Sequence, residues 1–329
     1  RFLSISVPGY PVKIISPRRA NPFMAQPFVK WAGGKRQLLD ELVSSAPGDL
    51  SAKGNRSYAE PFVGGGAFLF KLFELDYIDR AIICDFNKDL ILTYRTIKHD
   101  VEGLIKALSA LNLEYTGHSV EERRSAYFDY RAAFNENRAI IDYDAGNGSH
   151  VGQASLFIYL NKTGFNGLYR VNSKGEFNVP PSNLANKDFT QEDNLRAVSQ
   201  VLKSVEIHCG DYQSSLVDLP KNCFVYFDPP YRPLTKTSFT TYAGMNWNND
   251  SQQIRLAEYC QHLHSEGYNF MMSNSDQSQR EEENERQFFH NHFPKPIYNI
   301  QSVDAVRAIN SNGKQRGAIK EILVRNYEN

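Results

Sequence analysis

The segment 224–231 joins an apolar run to side chains and carbonyls that accept hydrogen bonds. The run Phe-Val-Tyr-Phe predicts a buried strand, and Asp228, Pro229, Pro230 and Tyr231 follow it directly. The Asp228 carboxylate and the Pro229 carbonyl could together hold the two N–H bonds of an amine whose lone pair is delocalised into a ring. Tyr231 offers a flat face on which an unstacked base could lie. A plain strand end with a Pro-Pro turn is the alternative interpretation.

A glycine-rich turn follows an earlier strand candidate, in the segment Glu-Pro-Phe-Val-Gly-Gly-Gly at 60–66. Glycines let a ligand approach the backbone, and the N terminus of the next helix would face that ligand. Asp85 comes 20 residues after Gly65, at the end of the next predicted strand, where a carboxylate can hold ribose hydroxyls. Leu69 stands where a nicotinamide-binding Gly-x-Gly-x-x-Gly pattern would place its third glycine, counted from Gly64. The turn therefore suits other nucleoside cofactors better.

A basic turn near the start of the chain, at 28–36, superficially resembles a phosphate-binding loop. Val29 replaces the first glycine of that loop and Arg36 replaces its Ser/Thr, so a nucleotide triphosphatase is disfavoured. Lys35 could neutralise a ligand carboxylate, and Trp31 could pack on a flat ring. A solvated turn before a helix over Arg36–Val43 is the alternative.

Alternating strands and helices must position these residues. Apolar and β-branched runs predict strands at Ser57–Glu60, Ala81–Cys84, Val205–Cys209, Phe224–Phe227, Asn269–Ser273, Ile297–Val303 and Glu321–Asn326. Helical patterns at Ala67–Phe73, from about Asn87, and at Gln252–His264 lie between them. This order predicts an α/β fold with a doubly wound, mostly parallel sheet.

The middle of the chain, 111–199, interrupts the alternation. It is rich in aromatic residues, Asn and Gly, contains a helical pattern at Glu121–Asn137, and is interpreted as an inserted, mainly helical recognition domain. Residues 26–110 and 200–329 would then form the catalytic domain. Residues 1–25 are expected to be a flexible tail or an expression remnant, with Met24 as a possible natural start.

Composition excludes several classes of protein. The 37 Lys and Arg residues balance the 37 Asp and Glu residues, so net charge neither favours nor excludes a nucleic-acid partner. Four cysteines without a Cys-x-x-Cys pair indicate neither a disulfide scaffold nor a zinc site, and they favour a reducing, cytoplasmic compartment. The paired histidines diverge on predicted helices, so no metal is expected. No apolar stretch is long enough for a membrane span.

Five motifs occur in an order that resembles one family. They are Lys-Trp-Ala-Gly-Gly-Lys, Glu-Pro-Phe-Val-Gly-Gly-Gly, Asn-Gly-Leu-Tyr-Arg, Glu-Phe-Asn-Val-Pro and Asp-Pro-Pro-Tyr. Together they resemble the DNA adenine methyltransferases of the Dam and DpnII-system type, from about Gln26 to the C terminus. The resemblance implies a Rossmann-like methyltransferase core, S-adenosylmethionine as methyl donor, and double-stranded DNA as substrate. It further implies the recognition sequence GATC and flipping of the target adenine out of the helix.

The same resemblance implies roles for individual residues. The expected catalytic residues are Asp228, Pro229, Pro230 and Tyr231. The expected cofactor-binding residues are Trp31, Lys35, Phe62, Gly64, Asp85, Asp211, Tyr212 and Asp228. Arg170 and Lys30 match residues that read the two guanines, and Phe165 matches an aromatic wedge, although it lacks the hydroxyl that some relatives have there. Further expected DNA contacts are Asn166, Leu168 and Pro180.

Some alternatives stay open at this point. The loop 312–316 resembles a phosphate-contacting hairpin, and a solvated turn is an equal alternative. The same chemistry could act on a protein amide or on RNA, although a lobe carrying Arg170 and Phe165 favours duplex DNA. A non-catalytic DNA-binding regulator that senses the cofactor is disfavoured by the intact Asp-Pro-Pro-Tyr motif. A base deaminase is disfavoured because its zinc pattern is absent.

Overall fold

The structure is a computed structural model that describes residues 24–50, 56–143, 150–185, 188–234, 241–242, 245–246, 250–306 and 318–328. Most of the expected N-terminal tail and the basic loop 312–316 lie outside the described residues. Ala25, which was assigned to the tail, is buried against the core.

Nine strands occur in the described part of the chain. They are β1 (Ser57–Pro61), β2 (Arg80–Asp85), β3 (Val205–Cys209), β4 (Phe224–Phe227), β5 (Thr241–Tyr242), β6 (Met245–Asn246), β7 (Asn269–Ser275), β8 (Asn299–Val306) and β9 (Ala318–Arg325). Seven of them form one sheet in the order β3-β2-β1-β4-β7-β9-β8, and β5 pairs with β6. The first five strands of that order run parallel, whereas β9 is antiparallel to both β7 and β8. The predicted α/β class with a mostly parallel sheet is confirmed.

Eleven α-helices occur among the described residues. They are α1 (Leu39–Ser44), α2 (Ala67–Glu74), α3 (Lys88–His99), α4 (Val101–Gly117), α5 (Val120–Ile140), α6 (Val151–Thr163), α7 (Glu192–Leu202), α8 (Tyr212–Ser215), α9 (Asp250–Ser265), α10 (Glu283–Arg286) and α11 (Phe288–His292). The helix predicted over Arg36–Val43 is instead a 3-10 turn at Lys35–Gln37 followed by α1, because Leu38 has a non-helical backbone.

The two antiparallel strands differ from their predicted bounds. β8 begins two residues later than predicted and continues to Val306, and β9 begins at Ala318 rather than at Glu321. Their pairing register joins Asn299 to Arg325 and Val306 to Ala318, so each strand extends as far as its partner does. The ends of β8 and β9 are therefore set by the length of the strand that each pairs with, which the local sequence does not encode.

The sheet reverses its order between β1 and β4, which are neighbours although 162 residues separate their ends along the chain. Ligand sites of open α/β sheets collect at the carboxyl ends of strands beside such a switch point. Alternate residues of the strands face opposite layers. Tyr58, Phe224 and Tyr226 pack into one buried cluster, while Val225 and Phe227 pack into the other.

The inserted segment packs on the first of these layers. Its α5 begins with a capping box, in which Ser119 and Glu122 satisfy each other's backbone N–H groups. After α6 the chain folds back on itself, with bridges between Gly164 and Pro181 and between Val171 and Phe177. The expected domain boundaries at 110/111 and 199/200 fall inside α4 and α7. No helix in the described ranges combines the length and apolarity needed to traverse a bilayer.

Candidate active site

Asp228 lies directly after β4, and Lys35 pairs with it. The Nζ of Lys35 is 2.8 Å from Oδ1 of Asp228 and also donates to the carbonyl of Gly33 at 2.8 Å. The Lys35 side chain is 6% exposed and that of Asp228 is 20% exposed, so the acid keeps one accessible side. The basic turn at 28–36 is thereby joined to the Asp-Pro-Pro-Tyr motif.

Two electrostatic effects act in opposite directions on the pKa of Asp228. Burial raises the pKa of the Asp228 carboxyl above its ordinary value, and the Lys35 ammonium counteracts that rise. Glu60, at the end of the neighbouring β1, is buried and accepts a hydrogen bond from the Tyr58 hydroxyl at 2.9 Å. Burial raises the pKa of Glu60 to about 8, and the nearby Asp228 adds to the rise. Lys35 thus favours the ionised form of Asp228.

Both the hydroxyl and the ring of Tyr231 have partners in the protein. Its hydroxyl donates to Oε2 of Glu321 at 2.6 Å, and the ammonium of Lys35 lies 4.7 Å from its ring centroid. Glu321 lies on β9, which is 90 residues away along the chain. Sequence reasoning missed Glu321 because only the sheet order brings β9 near β4.

The two proline carbonyls differ in their partners. Nε2 of Gln253 donates to the Pro230 carbonyl at 2.9 Å, and Asn274 in turn donates to Gln253 at 3.0 Å. Within the described ranges, no group donates to the carbonyl of Pro229. Of the two, the Pro229 carbonyl is therefore the one that can accept from a ligand amine.

The glycine turn lies beside this motif and is shaped by Asp85. Oδ2 of Asp85 accepts from the Gly64 N–H at 3.0 Å, and Oδ1 accepts from the Asn87 N–H at 2.9 Å. Gly64 has φ +49°, and a Cβ placed on it would lie 2.6 Å from the Trp31 indole. No residue with a side chain fits there without displacing Trp31. Asp85, Gly64, Trp31, Lys35 and Asp228 consequently surround one region at the β1/β4 switch.

Asp211 and Tyr212 lie after β3, on the same edge of the sheet. The Tyr212 ring packs on Phe62 with centroids 5.4 Å apart, and Phe62 itself has a φ of +71°. Both oxygens of Asp211 accept from the Arg255 guanidinium, at 2.7 and 2.8 Å, which holds the pKa of Asp211 below its ordinary value. Arg255, from α9, is a second residue that sequence reasoning missed, since no motif surrounds it.

The expected DNA-contacting residues occupy the turned-back loop 164–181. Phe165 is 43% exposed, and its N–H donates to the Pro180 carbonyl at 2.9 Å. Arg170 is exposed, and its Nε donates to Oδ1 of Asn178 at 2.8 Å. Asn166 and Pro180 are also exposed, and Leu168 is half-buried. The loop thus presents an aromatic ring and a guanidinium at the surface.

Asn161 attaches Lys30 to this loop. Its Oδ1 accepts from the Lys30 N–H at 2.8 Å, and its Nδ2 donates to the Lys30 carbonyl at 2.8 Å and to the Gly167 carbonyl at 2.9 Å. A Cβ on Gly167 would lie 2.5 Å from Cβ of Lys30, so the Gly167 backbone lies directly against the Lys30 side chain. The Asn161 position within α6 gave no sequence signal beyond its place before the Asn-Gly-Leu-Tyr-Arg motif.

No cluster of three or more His, Cys, Asp or Glu side chains suited to a metal occurs among the described residues. The predicted site residues instead form two neighbouring groups. One group, at the sheet edge, contains Trp31, Lys35, Phe62, Gly64, Asp85, Asp211, Tyr212, Asp228, Pro229, Pro230 and Tyr231. The other, on the inserted segment and beside it, contains Lys30, Phe165, Asn166, Leu168, Arg170 and Pro180. The contacts of Trp31 and Lys30, adjacent in sequence, connect them.

Comparison with known proteins identifies the family. A family model described as D12 class N6 adenine-specific DNA methyltransferase matches residues 31–309. The type II methyltransferase M.MjaIII of Methanocaldococcus jannaschii is 42% identical over 307 residues, covering 92% of this chain and 99% of that protein. M1.LlaDCHI of Lactococcus lactis subsp. cremoris is 36% identical, covering 94% and 98%. A DNA adenine methylase of Haemophilus influenzae is 32% identical, covering 91% and 92%. The chain therefore belongs to the D12 class of N6 adenine-specific DNA methyltransferases, as the order of its motifs predicted.

Proposed function

We propose that this adenine-specific DNA methyltransferase uses S-adenosylmethionine to methylate N6 of adenine within GATC, after the base is flipped out of the duplex. One observation carries the proposal. Asp228, beside the carbonyl of Pro229, adjoins the glycine turn at the strand switch and is paired with Lys35. An acceptor for an amine and a turn that suits a nucleoside thus share one edge of the sheet.

The residues at this edge fit a donor that is a nucleoside with an amino-acid tail. The Phe62 and Tyr212 rings provide flat apolar surface, and the buried Tyr212 hydroxyl has no protein partner in the described part of the chain. Lys35 suits a carboxylate, and Gly64, which has no side chain, lets the Trp31 indole lie directly against the backbone of the turn. Asp85 and Asp211 are the acids expected to lie near the ribose and the adenine. When bound, the donor supplies an electrophilic methyl group on a positively charged sulfur.

Asp228 and Pro229 would hold the target amine. The carboxylate and the carbonyl each accept one N–H of N6, which orients the nitrogen lone pair toward the methyl carbon. That lone pair would form the N–C bond to the methyl group that the donor supplies, and the departing sulfur would keep the S–C electron pair. The nitrogen then carries a positive charge, and Asp228 takes up the proton that it releases. Lys35 keeps Asp228 ionised beforehand.

The loop 164–181 would read the duplex as part of a recognition domain at 111–199. The planar fork of Arg170 matches the two acceptors on the major-groove edge of guanine, and Lys30 would contact the other guanine. Phe165 is exposed as a wedge must be, and it would fill the space beside the flipped adenine. Asn166, Leu168 and Pro180 would make neighbouring contacts. GATC as the sequence is supported by the motif resemblance and by relatives named DNA adenine methylases.

A methylation map tests the proposal. Unmethylated plasmid is incubated with protein and S-adenosylmethionine, and N6-methyladenine is located by sequencing. We expect methylation at GATC, loss of it in Asp228→Ala with duplex binding retained, and normal activity in the control Asp218→Ala, whose side chain is exposed. Methylation at another sequence would refute GATC, and near-parental activity of Asp228→Ala would refute the role of Asp228. Methyl incorporation into RNA or protein instead of DNA would refute the substrate.

A further inference from the structure

A buried acid outside the proposed reaction joins the sheet domain to the inserted segment. Asp89 lies in the first turn of α3 and is 1% exposed. Its Oδ1 accepts from the Tyr143 hydroxyl and its Oδ2 from the Tyr169 hydroxyl, both at 2.6 Å. Nε of Arg138 lies 2.9 Å from Oδ2. A buried carboxylate is costly unless it is paired and hydrogen-bonded, and Asp89 has a partner for each oxygen.

The partners of Asp89 come from different parts of the inserted segment. Arg138 belongs to α5, Tyr143 follows that helix, and Tyr169 belongs to the loop 164–181. Arg138 also donates to the Tyr169 hydroxyl at 3.2 Å. Burial and the neighbouring Asp89 raise the pKa of Tyr169, so its hydroxyl remains a donor. Among these contacts with Asp89, only the hydrogen bond from Tyr169 comes from a residue of the loop 164–181.

Tyr169 also adjoins both halves of the candidate active site. Its ring stacks on Trp31 with centroids 6.1 Å apart and an interplanar angle of 28°. Trp31 lies against Gly64 of the glycine turn. Arg170, the residue proposed to read guanine, is the next residue in the chain. A shift of Tyr169 would therefore move the Arg170 backbone relative to the donor site.

We propose that Asp89 and Tyr169 are positioning residues for sequence discrimination, which hold the loop 164–181 at a fixed place on α3. The inference rests on the proposed function, since it takes Arg170 as a base-reading residue. The hydrogen bond from the Tyr169 hydroxyl to Asp89 fixes where the loop lies on α3. Without it the ring still covers Trp31 but is no longer tied to α3, so the loop can shift. Loss of the hydroxyl should therefore affect base reading more than donor binding.

The chain offers a matched pair of variants. Tyr169→Phe and Tyr143→Phe each remove one 2.6 Å hydrogen bond to the same carboxylate, but only the first residue belongs to the loop. For each variant we would measure kcat/KM on the sequence that the parent methylates and on duplexes with one guanine replaced. The donor KM and the thermal midpoint are measured alongside. Asp89→Asn serves as a third variant that weakens both bonds.

In Tyr169→Phe, we expect the ratio of cognate to substituted kcat/KM to fall about tenfold or more, because misplacement of a positioned group by about 1 Å has effects of that size. The donor KM should stay near the parental value. Tyr143→Phe should lower the thermal midpoint while keeping the ratio, and Asp89→Asn should lower both.

Three outcomes would overturn the inference. The first is an unchanged ratio in Tyr169→Phe and Asp89→Asn. The second is a fall of the ratio in Tyr143→Phe as large as that in Tyr169→Phe. The third is a Tyr169→Phe variant whose cognate rate and stability fall while the ratio stays the same. Because the ratio is measured on whichever sequence the parent methylates, a refuted GATC assignment leaves this test intact. A parent without DNA methylation would refute the proposed function and be visible before any variant is compared.

Discussion

At the scale of single residues, the site depends on how a partly buried acid stays charged. Asp228 has a raised pKa because of burial, and Lys35 lies 2.8 Å from it as the opposing charge. Only the ionised carboxylate can take up the proton proposed to leave the methylated amine, so Lys35 is important beyond any contact with the donor. The Pro229 carbonyl needs no such support, because it is a permanent dipole.

Replacing Lys35 should therefore change the pH dependence of methylation. In Lys35→Met the Asp228 carboxyl loses its nearest positive charge and its pKa rises further. Activity that requires ionised Asp228 is lost as pH falls through that pKa, so the acidic limb of kcat/KM for DNA should move to higher pH by about one unit or more. The profile is measured at saturating donor.

Lys71→Met is the matched control for this prediction. Lys71 forms an ion pair of 3.0 Å with Glu74 on α2, away from the motif. Its profile should coincide with that of the parent. A Lys35→Met enzyme that is slower but has an unmoved acidic limb would show that Lys35 acts on the donor alone.

At the scale of elements, neighbouring helices hold the strand ends and loops in place. α9 supplies Gln253 to the Pro230 carbonyl and Arg255 to Asp211, so one helix fixes both the Asp-Pro-Pro-Tyr motif and the acid after β3. α6 carries Asn161 in its last turn, and this side chain binds the backbone of Lys30 and of Gly167. Each of these side chains acts on a segment far away in sequence.

Asn161→Leu should separate the Lys30 turn from the loop. Leucine has a similar size but leaves the Lys30 N–H and two carbonyls without their amide partner in a buried place. Each unsatisfied buried group costs about 1–3 kcal/mol, and two of these three hydrogen bonds are only partly buried, so we expect the free energy of unfolding to fall by about 3–5 kcal/mol. Affinity for the cognate duplex should fall as well. Urea denaturation and duplex titration measure the two effects.

Asn291→Leu, on the exposed surface of α11, provides the comparison for Asn161→Leu. Its effect should stay within about 0.5 kcal/mol. If Asn161→Leu is equally mild, the amide does not hold the two segments together.

Sequence patterns predicted the elements better than the contacts between them. β4 begins and ends where its apolar run does, because it is a short buried strand bounded by turn residues. β3 also keeps its predicted bounds, although it lies at the edge of the sheet and only Val205 in it is buried. The motifs also named residues that the structure places together at one edge of the sheet, such as Lys35 and Asp228. Glu321, Gln253, Arg255 and Asn161 could not be predicted, because their partners are specified by sheet order and helix packing. The bounds of β8 and β9 were wrong because pairing sets them.

At the scale of the whole molecule, the inserted segment shares its core with the sheet. One buried cluster contains Tyr58 and Phe224 from the strands, Tyr94 from α3, and Phe134 and Tyr159 from the inserted helices. The segment therefore has no separate core, and α4 and α7 cross its expected boundaries. We therefore expect the sheet and the inserted segment to unfold together rather than as two independent halves.

The buried Glu60 should make this stability depend on pH. Its folded pKa of about 8 exceeds the unfolded value of about 4.3, so the folded protein binds more protons between these limits. The free energy of unfolding should therefore decline as pH rises through this window, by up to ~1.4 kcal/mol per pH unit from this group. Glu60→Gln, which keeps an oxygen to accept from Tyr58, should remove that part of the decline.

Urea denaturation of parent and Glu60→Gln at several pH values measures the difference. Other titrating groups cancel in the comparison, since both proteins share them. Two curves that stay parallel between pH 5 and pH 8 would mean that Glu60 is ionised in the folded state.

The shared core has a consequence for engineering new specificities and for how they arise in evolution. Grafting residues 111–199 from a relative would replace only part of this shared core. The residues that pack against the graft, including Tyr94 and Asp89, would still be those of the host protein. Such a chimera would be mismatched where its parts meet. Changes confined to the exposed tip of the loop 164–181 leave that interior untouched. Under the reading role proposed for this loop, we expect point changes there to alter target preference more readily than exchange of whole segments.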